Sequence, residues 1–294
     1  MAPRLPLACL ALSLALAMAG LAAADGRPPV TAENGMVVSA QRLASEVGVE
    51  VMRAGGNAID AAVAVGYALA VVHPCCGNVG GGGFATIRLA DGTTTFFNFR
   101  ETAPAAATAD MYLDAAGEPV KGASVLGYKA VGVPGTVLGL EVMREQYGTM
   151  ERAALLAPAI RLARDGFPLG AADAASLAGL ADDLATQPNV TAIFFRDGAP
   201  LKAGETLVQA DLAATLEAIA EGGPGAFYEG PIAQKIVAAS EAQGGILRLR
   251  DFAEYTVRET APVTCAYRDT EIVAAPPPSS GGTTICEILN VVEG

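Results

Sequence analysis

Arg100 ends the apolar alternation of Phe97 and Phe99 inside the run FNFRETAP, residues 97–104. A guanidinium fixed there could receive a carboxylate through its planar fork, and a charged hydrogen bond of that kind contributes about 1.5–3 kcal/mol. An internal ion pair, with Glu101 or another acid, is the competing use, and the run itself leaves both open.

Other side chains offer less. His73, the single histidine, could act as a general base, but its position before Pro74 at the end of an apolar stretch favours a structural helix-terminal role. Ser279 and Ser280 lie among prolines and glycines in PPPSSGG and lack the G-x-S-x-G elbow of an activated serine. Cys75, Cys76, Cys265 and Cys286 could pair as disulfides or act as buried structural thiols. A metal site has weaker support, with one histidine and no C-x-x-C pair. Asn189-Val190-Thr191 is a formal glycosylation sequon, a pattern common by chance.

The run GNVGGGGF, residues 77–84, resembles a phosphate cradle at first sight, and GGGGFA satisfies G-x-G-x-x-A. Its context argues otherwise, because a dinucleotide site needs a strand before the glycines and a helix after them, and a P-loop needs a closing Lys-Ser/Thr. Here a helical pattern precedes and a strand pattern follows. The glycines instead imply a sharp turn or a close backbone approach.

The elements that would position these residues read as follows. Residues 39–54 form an amphipathic helix with Ser39 as its cap and Gly55-Gly56 as its stop, and residues 57–74 form a buried helix opened by Asn57. FATIRLADGTTTFFNFRE, from Phe84, is an antiparallel hairpin turning at Asp91-Gly92. Residues 136–147, 151–164, 207–221 and 231–243 have helical spacing, APVTCAYRDTEIVAA is a strand pair, and a helix follows PPPSSGG. Together they make one α+β domain. The last helix has an apolar face and no later segment to cover it, so a C-terminally truncated chain is expected.

Of 294 residues, 52% are hydrophobic, enough for a substantial core, and 19 basic against 31 acidic residues give a net charge of −12. Such a surface disfavours nucleic acid as a partner. Residues 1–24 combine Arg4, an apolar run from Leu5 to Ala19 and the A-x-A site Ala22-x-Ala24, the pattern of a cleavable signal peptide. A periplasmic or secreted protein is therefore expected.

Seven blocks occur in order: AGGNAIDAAVAVGYALAVVHP, GNVGGGGF, FNFRETAP, VGVPGT, APAIRLARDGF, GETLVQADLAATLEAIAEGGPGAFYEG and PPPSSGG. From about Gly35 to Gly294 the chain resembles the γ-glutamyltranspeptidases, also called γ-glutamyltransferases or glutathione hydrolases. The resemblance implies an N-terminal-nucleophile hydrolase-like αββα sandwich, incomplete here, with residues 25–294 as a large-subunit portion. It implies a self-cleaving precursor, a partner small subunit, and no metal or organic cofactor. The nucleophilic threonine opens a T-T-H segment in that family, and no such segment occurs in these residues, so it is expected beyond Gly294 and none of the catalytic residues is assigned here. By its match to FNFRETAP, Arg100 is the implied holder of the substrate α-carboxylate. Glutathione and other γ-glutamyl compounds are the implied substrates, and amino acids or peptides the acceptors. Two alternatives differ in class or substrate: a noncatalytic periplasmic carboxylate-binding module, and a relative acting on another acyl amide such as a cephalosporin side chain.

Overall fold

In the computed structural model, which describes residues 29–294, the first helix α1 (Arg42–Arg53) packs Val47 and Val51 against α2 (Ala58–Val72). The predicted signal segment, residues 1–24, lies outside the described residues. Ser39 does not cap α1; the Gln41 side chain does, accepting the Leu43 N–H at 2.9 Å. Asn57 caps α2 as its sequence suggests, and Asp60 completes a reciprocal box by accepting the Asn57 N–H at 2.9 Å. Asp60 is fully buried, yet its carboxylate also accepts the Thr149 hydroxyl at 2.7 Å and the Met150 N–H at 3.1 Å. Burial pushes its pKa up, but these hydrogen bonds outweigh it and hold the carboxyl below its ordinary value.

The predicted hairpin pairs β1 (Phe84–Arg88) with β2 (Thr94–Asn98), Phe84 opposite Asn98 and Ile87 opposite Thr95. Gly92 takes a left-handed φ of 88° at its turn, and Thr93 N–H donates to Asp91 Oδ1 at 2.9 Å. The strand is buried on both faces: Thr95, Phe96 and Phe97 are all buried.

Next come α3 (Thr136–Tyr147) and α4 (Arg152–Asp165), within a residue of their sequence positions. Residues 166–206 carry no regular apolar stripe but hold β3 (Phe167–Pro168), α5 (Ala171–Gly179), α6 (Ala181–Ala185) and α7 (Pro188–Phe194). The short ribbon β4 (Phe195–Arg196) and β5 (Ala199–Pro200) follows, and β6 (Thr206–Leu207) pairs back with β3. Four helices then succeed one another: α8 (Ala210–Gly222), α9 (Pro224–Tyr228), α10 (Pro231–Ala242) and α11 (Leu249–Ala253). A short strand β7 (Arg258–Thr260), the predicted strand pair β8 (Val263–Tyr267) with β9 (Thr270–Ala274), and α12 (Gly281–Glu293) complete the order.

Helices α1, α2, α4 and α8 pack in that sequence as one layer, and its interior includes Val63, Tyr67, Leu155, Leu156, Leu216 and Ile219. Strand β7 extends the hairpin into a three-stranded sheet, β1-β2-β7, with Asn98 opposite Arg258. The mixed helix and strand content agrees with the expected α+β class. Among the described residues, no helix is long and apolar enough to cross a membrane.

Candidate carboxylate site around Arg100

The glycine run builds the seat of Arg100. Beyond Asn98 the hairpin ladder continues irregularly: Gly83 N–H donates to Phe99 O at 3.2 Å and Phe99 N–H to Gly83 O at 3.0 Å. Gly82 lies so close to the next peptide that a Cβ there would meet Phe99 O at 2.5 Å, Glu101 N at 2.7 Å and Arg100 Cα at 2.8 Å. Only glycine permits that approach. Gly81 O accepts the N–H groups of Gly135 and Thr136 at 2.7 and 3.0 Å, which brings the VGVPGT block onto the same spot. Gly135 packs on Phe99 O and the Tyr255 hydroxyl, and Gly139 packs on the Phe99 ring. These blocks, distant in sequence, converge on one segment, Phe99–Glu101.

Tyr255 holds that segment from the other side, its hydroxyl donating to the Arg100 carbonyl at 3.0 Å. Burial, followed by the charge of Glu101, pushes the Tyr255 phenol up to about 12, so it stays a neutral donor. Its ring stacks on Tyr228 at 6.0 Å with 7° between planes, and the Tyr228 hydroxyl donates to Pro134 O at 3.0 Å. Arg100 N–H donates to Asn98 Oδ1 at 3.1 Å, and its guanidinium carbon lies 6.0 Å from the Phe84 ring centre.

Above this support is a cavity of about 180 Å³ whose lining includes Asn98, Arg100, Glu101, Tyr255, Arg258 and Pro278. Among the described residues, neither Arg100 nor Arg258 has a carboxylate within 4.0 Å, so the internal ion pair with Glu101 is not formed. Two guanidiniums without acidic partners at the rim of a small cavity are suited to a carboxylate-sized anion. Pro278 brings the PPPSSGG loop to the same cavity. Sequence reading singled out Arg100 as a candidate and did not reach Arg258 or Tyr255, which the fold places beside it. Arg258 owes its place to β2–β7 pairing, which a three-residue charged strand does not announce.

The remaining candidates are elsewhere. His73 ends α2 and pairs its Nδ1 with Asp173 Oδ1 at 3.0 Å. Ser279 Oγ accepts the Gly281 N–H at 3.2 Å, and Ser280 O accepts the Thr284 N–H at 2.9 Å, both turn contacts rather than an activated hydroxyl. Asn189 lies exposed in the first turn of α7. The cysteines pair as two disulfides, Cys75–Cys76 and Cys265–Cys286, the latter tying β8 to α12 across a Cα–Cα distance of 6.0 Å.

The family profile described as gamma-glutamyltranspeptidase matches residues 44–294. The glutathione hydrolase proenzyme of Pseudomonas sp. (strain A14) is 56% identical over 98% of this chain and 50% of its own length. The glutathione hydrolase proenzyme of Escherichia coli K12 is 48% identical over 90% of this chain and 46% of its own. The chain thus spans about half the length of these curated relatives. The crystal structure of Helicobacter pylori gamma-glutamyltranspeptidase superposes with a TM-score of 0.88 at 44% identity, over 90% of this chain and 76% of that one.

Proposed function

Because the chain belongs to the γ-glutamyltranspeptidase family, we propose that it supplies the carboxylate-binding half of a γ-glutamyl hydrolase and transferase, with glutathione and related γ-glutamyl amides as substrates. The observation that carries this reading is Arg100: fixed by the glycine run and Tyr255, free of any acidic partner among the described residues, and open to a cavity of about 180 Å³. The α-carboxylate of a γ-glutamyl group is an anion of matching size and charge. Holding it there positions the γ-amide for attack by a group from outside these residues.

In this reading the nucleophile is the N-terminal threonine of a small subunit made from the same precursor. Its hydroxyl adds to the γ-amide carbonyl while its α-amine takes the proton, and the departing amine is reprotonated, leaving a γ-glutamyl ester on the threonine. Water then releases glutamate, or an amino acid or peptide amine accepts the group. Arg100 does not touch the reacting bond; it fixes the distance to it.

The small subunit would complete the two-sheet αββα sandwich, and exposed Ile285, Ile288 and Val292 on α12 offer it an apolar surface. Residues 1–24 carry the features of a signal for export, with Asp25 as the mature start. The relatives' names, both hydrolase proenzymes, do not favour a noncatalytic carboxylate-binding module. The test is expression of the complete precursor, with N-terminal sequencing of its products and assay on a γ-glutamyl anilide. A new threonine N-terminus with anilide cleavage supports the reading; a stable uncleaved, inactive product overturns it.

A further inference from the structure

We propose that His73, Cys75 and Cys76, with Asp173 behind the histidine, form a binding site for a thiophilic metal ion of the zinc class when the Cys75–Cys76 pair is reduced. The ligand atoms of the three residues lie within 4.8 Å of one another, and His73 Nε2 is 3.4 Å from Cys75 Sγ. A borderline-soft ion takes this combination of two thiolates and one imidazole and leaves a fourth tetrahedral position to solvent.

The surroundings hold the imidazole in place. Asp173, in the first turn of α5, is buried and accepts from His73 Nδ1 at 3.0 Å. With its proton on Nδ1, the ring keeps the Nε2 lone pair free, as in the carboxylate–histidine pairs of metal sites, and Cys75 Sγ lies beside the ring, 3.4 Å from Nε2 and 3.8 Å from Nδ1. The turn is equally fixed. His73 N–H donates to Leu69 O at 3.0 Å, while His73 O accepts from Cys76 and Gly77 at 3.1 and 2.8 Å. Gly77 lies against the Leu69 and Ala70 backbone where no side chain would fit. Both cysteines are exposed, and Cys75 and Asp173 border a cavity of about 260 Å³. None of these residues lines the Arg100 cavity.

The disulfide seen in the structure is the closed form of the site. A dithiol reductant opens it by passing two electrons and two protons to the sulphurs and becoming a disulfide itself. Metal binding then displaces the two thiol protons and forms two metal–thiolate bonds.

The full-length chain, reduced with a phosphine and desalted under nitrogen, is titrated with Zn²⁺ against a chromophoric chelator, and with Co²⁺ while thiolate-to-cobalt charge transfer is recorded. Cys75→Ser and Cys76→Ser, both at exposed positions, should each weaken Zn²⁺ binding by more than about 100-fold and abolish the cobalt band. Asp173→Asn should weaken it by about 10- to 100-fold, as expected for an outer-shell partner. Protein with the Cys75–Cys76 bond intact should not bind at this site. Zn²⁺ affinity and cobalt spectrum unchanged in both cysteine variants would overturn the proposal, as would reduced protein that binds no Zn²⁺.

Discussion

Tyr255 donates its hydroxyl to the backbone carbonyl of Arg100 at 3.0 Å, so the cation's place is set through its main chain by a residue 155 positions away. Tyr255→Phe keeps the ring stacked on Tyr228 and deletes only that bond. A lost neutral hydrogen bond costs about 1 kcal/mol, about fivefold in an equilibrium or rate. In the complete enzyme, kcat/KM for γ-glutamyl anilide should fall by about fivefold while precursor cleavage continues. Unchanged kcat/KM would mean that the bond does not position Arg100.

Gly82 and Gly80 are two positions apart in the same run, and their surroundings differ. A Cβ on Gly82 meets backbone atoms of Phe99, Arg100 and Glu101 at 2.5–2.8 Å, whereas one on Gly80 meets nothing within 4 Å. Backbone cannot rotate away as a side chain tip can, so Gly82→Ala should cost about 1–3 kcal/mol of stability, and Gly80→Ala should stay within about 0.5 kcal/mol of wild type. Urea unfolding of the two variants is the measurement. Equal midpoints would show that the close approach at Gly82 carries no strain.

The same pair explains what could be read in the chain before folding. Local signals were sufficient for Asn57 as a cap, the Asp91-Gly92 hairpin and α3, because capping, turn chemistry and apolar period act within a few residues. Arg100 stands out in the sequence because a charge follows an apolar strand, and the carboxylate role proposed for it rests on seven blocks that keep their order. The short helices α5 to α7 have no apolar stripe to announce them. Arg258 and Tyr255 enter the site through long-range pairing and a long-range hydrogen bond, and no spacing in the sequence encodes either. The glycine run showed a need for close approach; what it approaches, the Arg100 peptide, is tertiary information. The Ser39 cap failed because Gln41, nearer the helix, supplies the acceptor.

Glu141 gives an acid-sensitive contribution to stability. It is buried on α3, accepts from Arg152 Nε at 2.9 Å and Arg144 Nη2 at 2.7 Å, and is also paired with Arg152 Nη2. Burial pushes its carboxyl up, but the hydrogen bonds and charges of Arg152 and Arg144 win and bring it from 4.5 to about 2. A depressed folded-state value stabilises above the unfolded value, and that stabilisation fades as pH falls from 4.5 toward about 2. Glu141→Gln should therefore lose about 3–5 kcal/mol at pH 7, by leaving two arginines without their anion, and the gap to wild type should narrow below pH 4. Urea unfolding at several pH values checks this, and a gap independent of pH would assign the loss to packing alone.

Arg100 itself provides the sharpest test of the proposed carboxylate site. Arg100→Lys keeps the positive charge and replaces a planar fork with a single compact donor, so long-range attraction survives and bidentate geometry does not. Arg100→Ala removes both and should be the worse variant. Loss of charge-assisted bonds worth about 1.5–3 kcal/mol predicts a fall in kcat/KM of about 10- to 100-fold in the complete enzyme, and more if the γ-amide is also displaced from the nucleophile. Precursor cleavage involves no free glutamyl substrate and should persist in both variants. The Arg100 side chain is exposed and the segment's packing runs through Phe99 and the backbone, so folding should persist too. A substrate lacking the α-carboxylate separates the roles: wild type and Arg100→Ala should cleave it almost equally, because neither has an anion to hold. If Arg100→Ala abolishes folding or processing, or leaves kcat/KM for γ-glutamyl substrates unchanged, the guanidinium is structural and the cavity beside it binds something else.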